Sequence, residues 1–154
     1  MDKIKWCLNV KNGIEIIDIN ENLSEAYTRK AEDSLRAAVA LKDNKDWEIS
    51  SSYYTMYFSL YAILMRIGIK CEIHSCTIEF MKQFLSEYFT DEEIELIERS
   101  QKARIDSQYY SNRNISDELY KEIIESTPLF FVKCKNILSE LSEASVDKIR
   151  GKIS

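Results

Sequence analysis

The chain has 154 residues, a net charge of −5, three glycines and one proline. A chain of this length can bury one self-sufficient core. So few turn residues exclude a turn-rich all-β fold, and the acidic balance excludes gripping nucleic acid by bulk positive charge. The opening Met1-Asp2-Lys3-Ile4-Lys5-Trp6 is charged, unlike a secretory signal. The most apolar run, 53–65, is broken by Thr55 and Ser59 and is shorter than the about 20 residues a membrane span needs. A soluble, cytoplasmic, all-α protein is expected.

Residues 1–22 read as an N-terminal arm. Ile4, Cys7 and Leu8 share one face of a short helix that Asn12-Gly13 would end. Ile14-Glu15-Ile16-Ile17-Asp18-Ile19 reads as an extended segment with side chains to bury. A bundle is expected over 23–142. Its first helix runs from Ser24 to about Lys42, with Leu23, Tyr27, Ala31, Leu35 and Ala38 in one stripe. The second runs from Trp47 to Ile67 and ends at Gly68. Its latter half is apolar nearly all round, so it is either the centre of the bundle or also meets a second subunit.

A third helix is expected from an N-cap at Ser75 to Phe89, with Ile78, Met81, Leu85 and Tyr88 inward. A fourth opens on the capping box Thr90-Asp91-Glu92-Glu93 and runs to about Ser111. A fifth begins at Ser116 and carries Pro128, which should kink it. After Ser142, residues 143–154 form a polar tail expected to fray.

Of the four cysteines, Cys7, Cys71, Cys76 and Cys134, none follows an export signal, so reduced, buried thiols are expected. Cys71, His74 and Cys76, with Cys7 or Cys134, could offer metal ligands, but their spacing matches no usual paired-cysteine zinc pattern. No metal or cofactor is expected.

The fourth helix holds the candidate site. Its acidic start and basic end complement the helix dipole, and Glu95–Arg99 and Glu98–Lys102 are spaced as i,i+4 ion pairs. Arg104 differs. Its helical neighbours are Ser100, Gln101, Ser107 and Gln108, none of them acidic, and it flanks the stripe of Ile94, Ile97, Ile105 and Tyr109. Such an arginine needs a distant partner, a backbone carbonyl or a ligand. Leu96, Ser100, Ala103, Ser107 and Tyr110 share another face. Either it meets a partner subunit, with Leu96, Ala103, Ser107 and Tyr110 at the interface, or the helix lies central within one chain.

The strings Asn22-to-Ala38, Ser51-to-Leu64, Ile73-to-Phe80 and Ala103-to-Tyr110, in this order, resemble an uncharacterised branch of the HEPN superfamily. The resemblance covers about residues 20–142. It implies an up-and-down bundle of about five helices that assembles as a homodimer. Many members are ribonuclease toxins paired with a small nucleotidyltransferase, as in toxin–antitoxin systems. Their signature is an arginine, four to six residues, then a histidine, and paired subunits cleave RNA in a metal-free cleft. Histidine moves the 2′-hydroxyl proton and arginine stabilises the charge on phosphorus.

Here Arg104 is present, but Tyr109 stands where the histidine would. A phenol with an ordinary pKa near 10 is a poor base at pH 7, though it can donate a hydrogen bond to phosphate. The resemblance thus implies an anion site of Arg104, Gln108 and Tyr109 that binds RNA, or, if an enzyme, a metal-independent endoribonuclease. The alternative is a non-catalytic dimeric adaptor for a nucleotidyltransferase. Some relatives accept a nucleotide on a tyrosine two residues beyond the histidine, a position filled here by Ser111. His74, the only histidine, is expected to end its loop and help cap the third helix rather than act on substrate.

Overall fold

A computed structural model describes residues 2–110 and 112–153. Helix α1 (Lys3–Asn9) leads into strand β1 (Glu15–Ile16), then α2 (Glu21–Ala40) and α3 (Lys45–Ile67). Strand β2 (Ile69–Lys70) and helices α4 (His74–Phe84), α5 (Asp91–Tyr109), α6 (Asp117–Glu140) and α7 (Glu143–Gly151) follow. The fold is all-α apart from one small antiparallel ribbon, which pairs Glu15 with Lys70 and Ile16 with Ile69. No described helix is long and apolar enough to cross a membrane.

Helix α3 is the axis. Ile49, Tyr53, Met56, Leu60, Ile63, Leu64 and Ile67 are fully buried, and α2, α6 and α5 surround it. A helix with apolar residues nearly all round needs protein around it, and the chain itself supplies most of it, leaving Tyr54 and Phe58 half-buried. The hydroxyls of Thr55 and Ser59 donate to the carbonyls of Ser51 and Thr55 at 2.8 and 2.6 Å, so they are satisfied within the helix. Ser24 of α2 donates to the Ala62 carbonyl at 2.7 Å and fastens the two helices together. The first helix starts earlier than expected because Asn20 caps it through the Leu23 N–H. That leaves Leu23 exposed in the first turn, and Ser24 takes the inward place.

At the far end of α3, Gly68 caps the helix with a left-handed φ of 85°. Few residues other than glycine adopt that backbone readily. Thr90 and Glu93 form the expected capping box on α5. Pro128 lies inside α6, which continues through it to Glu140.

Several expectations are corrected. The chain after Ser142 is not a fraying tail but α7, which buries Val146 and Ile149. Arg150 donates to the carbonyls of Ile17, Ile67 and Gly68 at 2.9, 2.9 and 3.1 Å, joining α7 to the arm and to the end of α3. Helix α4 is capped at Ile73 rather than Ser75, and no side chain caps it. The carbonyl of Ile73 takes up the free N–H groups of Cys76 and Thr77. The helix ends at Phe84, and the inward residues Leu85 and Phe89 belong to the turn that follows.

Cys7 and Cys76 are not reduced thiols but a disulfide joining α1 to α4, with Cα atoms 5.5 Å apart. Packing α1 on α4 brings the two together, which an argument from compartment could not foresee. Cys71 and Cys134 are buried free thiols. The i,i+4 ion pairs expected on α5, Glu95–Arg99 and Glu98–Lys102, are replaced by other pairings, two of them to other helices and one within α5. Arg99 binds Glu122 of α6 through both terminal nitrogens, Glu98 meets Lys82 of α4, and Lys102 turns to Asp106.

Candidate functional site

The second half of α5 lies against α3, and the start of α4 approaches the same place. Arg104 projects from α5 onto two neighbouring rings of α3, its guanidinium 5.0 Å from the centre of Tyr53 and 5.5 Å from that of Tyr54. Cation–π attraction of this kind favours arginine over lysine. One terminal nitrogen donates to the Tyr54 hydroxyl at 3.4 Å and to Gln108 Oε1 at 3.3 Å. The buried Nε has no partner, and among the described residues Arg104 forms no ion pair. Asp106, two residues along α5, is engaged by Lys102 at 2.9 Å and Arg113 at 3.0 Å. Hydrogen bonds from these two cations, Lys102 first, hold its carboxyl below the usual carboxylate range. The guanidinium therefore keeps donors for an outside anion.

His74 stands beside Arg104. Its ring stacks on Tyr57 with centres 3.9 Å apart and planes within 9°. Its Nδ1 lies 2.8 Å from the Tyr53 hydroxyl. Burial first, and the Arg104 charge second, push the His74 pKa down to about 4. Burial, as the main cause, also raises the Tyr53 and Tyr57 phenols well above their usual range. At neutral pH the imidazole is therefore uncharged and both phenols keep their protons. Tyr53 is fully buried with no other hydrogen-bond partner among the described residues, so its O–H donates to Nδ1 and the ring proton sits on Nε2. The result is a neutral N–H donor next to a guanidinium.

The expected site residues do not all converge. Gln108 does meet Arg104. Tyr109 lies five residues on, about 140° round the helix, and is 71% exposed. It lines a separate recess with Asp46, Trp47, Ser50, Ser107 and Gln108. Leu96 and Ala103, expected at a subunit interface, are 8% and 2% exposed within the single chain. The bundle itself covers that part of α5. Ser107 is half-buried and Tyr110 is exposed beneath the Arg113 guanidinium. Ser111 lies outside the described residues.

Tyr53 and Tyr54 are the residues beside Arg104 that sequence reasoning missed, and His74 is the one it set aside. The signal was available, since four tyrosines at positions 53, 54, 57 and 61 carry hydroxyls into the most apolar stretch of the chain. Among the described residues, no group of three or more His, Cys, Asp or Glu is placed to hold a metal ion.

Comparison with known proteins agrees with this architecture. No curated protein matches the chain. The family model described as HEPN domain matches residues 24–137, from the first turn of α2 almost to the end of α6 and including every residue of the Arg104–His74 cluster. The chain belongs to the HEPN domain family.

Proposed function

We propose that this HEPN domain binds RNA through a backbone phosphate held by Arg104 and the Nε2–H of His74. The supporting observation is the state of Arg104. Its guanidinium lies over two tyrosines and forms no ion pair among the described residues, while Asp106 is engaged by Lys102 and Arg113. In an acidic protein, such a local site is how an RNA phosphate can be recruited without bulk positive charge. The function is binding rather than cleavage. A base with a pKa of about 4 accepts a proton poorly at pH 7, and Tyr109 lies on another recess. Homodimerisation, a nucleotidyltransferase partner and a toxin–antitoxin setting are further parts of this proposal that rest on the family resemblance.

The test is a fluorescence-anisotropy titration of single-stranded RNA at two salt concentrations. Arg104→Ala should weaken binding about tenfold or more, as expected for one charge-assisted contact, while melting close to wild type. The adaptor reading has its own observation: Leu129 and Val132 of α6 are 72% and 53% exposed, an apolar pair suited to a protein partner. Should Arg104→Ala bind RNA like wild type yet melt far lower, the arginine is structural and the adaptor reading is the better one.

A further inference from the structure

The recess beside Tyr109 is unlike the rest of the surface. It encloses about 360 Å³ between the first turns of α3 and the end of α5, within the range of small-molecule pockets. Two large aromatic side chains stand open on it, Trp47 at 58% exposure and Tyr109 at 71%. Exposed rings at a recess are what a planar heterocycle stacks on. Ser50 in its wall is buried with an unpartnered hydroxyl. The Asp46 carboxylate is exposed and forms no hydrogen bond or ion pair among the described residues. Gln108 links the recess to the arginine. Because Arg104 can only donate, Gln108 turns its oxygen towards it, leaving the amide NH2 free.

We propose that this recess binds a guanine base of the RNA strand, next to the phosphate at Arg104. Its phosphate half rests on the reading above; the recess stands on its own residues. Guanine alone among the four bases presents adjacent N1–H and N2–H donors, which the two oxygens of Asp46 can accept together. Its O6 takes a hydrogen from the Gln108 amide. Adenine and cytosine each offer a carboxylate only their single amino group, and uracil only one ring N–H.

Trp47 itself is the reporter. In a Trp6→Phe background, guanosine should quench Trp47 emission, and GMP should bind about tenfold more tightly than AMP, CMP or UMP. Asp46→Asn should shrink that preference to about twofold without lowering the melting temperature. Arg104→Ala should weaken all four nucleotides alike, and guanosine, which has no phosphate, far less. If the four nucleotides bind equally but still depend on Arg104, the guanine site is wrong and the phosphate reading survives. If guanosine binds through Asp46 while GMP ignores Arg104→Ala, the recess is right and the phosphate reading fails. Absence of quenching by millimolar guanosine overturns the recess. So does a dimer in sedimentation that Tyr109→Ala dissociates, since a second copy would then be its occupant.

Discussion

The Arg104 and His74 side chains share one corner, where the rings of Tyr53, Tyr54 and Tyr57 pack against them. Stacking on Tyr57 and the bond to Tyr53 set the imidazole plane and its tautomer, and the two tyrosine faces carry the guanidinium. Burial of the imidazole, and then the Arg104 cation beside it, oppose a second positive charge here. The folded pKa of about 4 lies below the ordinary 6.5. The unfolded chain therefore binds the proton more readily between those values, and stability is lost as pH falls through that window. The wild-type melting temperature should drop between pH 7 and pH 4.5, and His74→Gln should drop less over the same range. Equal slopes would mean that His74 does not titrate as its surroundings dictate. An anion bound at Arg104 should partly restore the wild type at low pH, because it offsets the opposing charge.

Element ends are held by specific devices rather than by propensity alone. Gly68 joins α3 to β2, and a methyl group there would collide with Arg150 and approach the Ile17 carbonyl at 2.6 Å. Gly68→Ala combines that crowding with an unfavourable φ, so it should cost at least about 1–2 kcal/mol; denaturant midpoints would measure it. Arg150→Ala should release α7 and raise amide exchange around Val146 and Ile149. The disulfide clips α1 to α4 across a sequence separation of 69 residues. Reducing it, or making Cys7→Ser with Cys76→Ser, should lower stability by about 2–4 kcal/mol, as expected for a closed loop of that order. A reduced protein that melts like the oxidised one would show that α1 holds its place by packing alone.

Across the whole molecule, α3 couples core and site. The face carrying Met56, Leu60 and Ile63 is the centre of the bundle, and one end of the same helix presents Tyr53, Tyr54 and Trp47. Damage to the core should therefore reach the site through the fold, whereas damage to the site should leave the fold intact. Ile97 of α5 is completely buried, and Ile97→Ala should cost about 2–5 kcal/mol through the cavity it leaves. It should weaken RNA binding only under conditions where the protein begins to unfold. Thermal melts run beside the anisotropy titrations separate the two effects.

The sequence by itself determined most of the helices. The apolar periodicity of α2 and α6, the all-round apolar character of α3, and the signals at Thr90, Ser116 and Gly68 are local, and hydrogen bonds within a few residues enforce them. It also singled out Arg104, because the absence of an acidic residue one turn away can be read from spacing. Only the tertiary structure decided what that arginine faces. Tyr53, Tyr54 and His74 are 51, 50 and 30 positions from it in sequence, and nothing local says that α3 and the start of α4 meet there. The same holds for Cys7 with Cys76, for Arg99 choosing Glu122 over Glu95, and for α7, whose two inward apolar residues are too few to reveal their burial in advance. Helical periodicity is a property of neighbours along the chain. The identity of a partner across the bundle is a property of packing, and packing is settled only when every helix has buried its face.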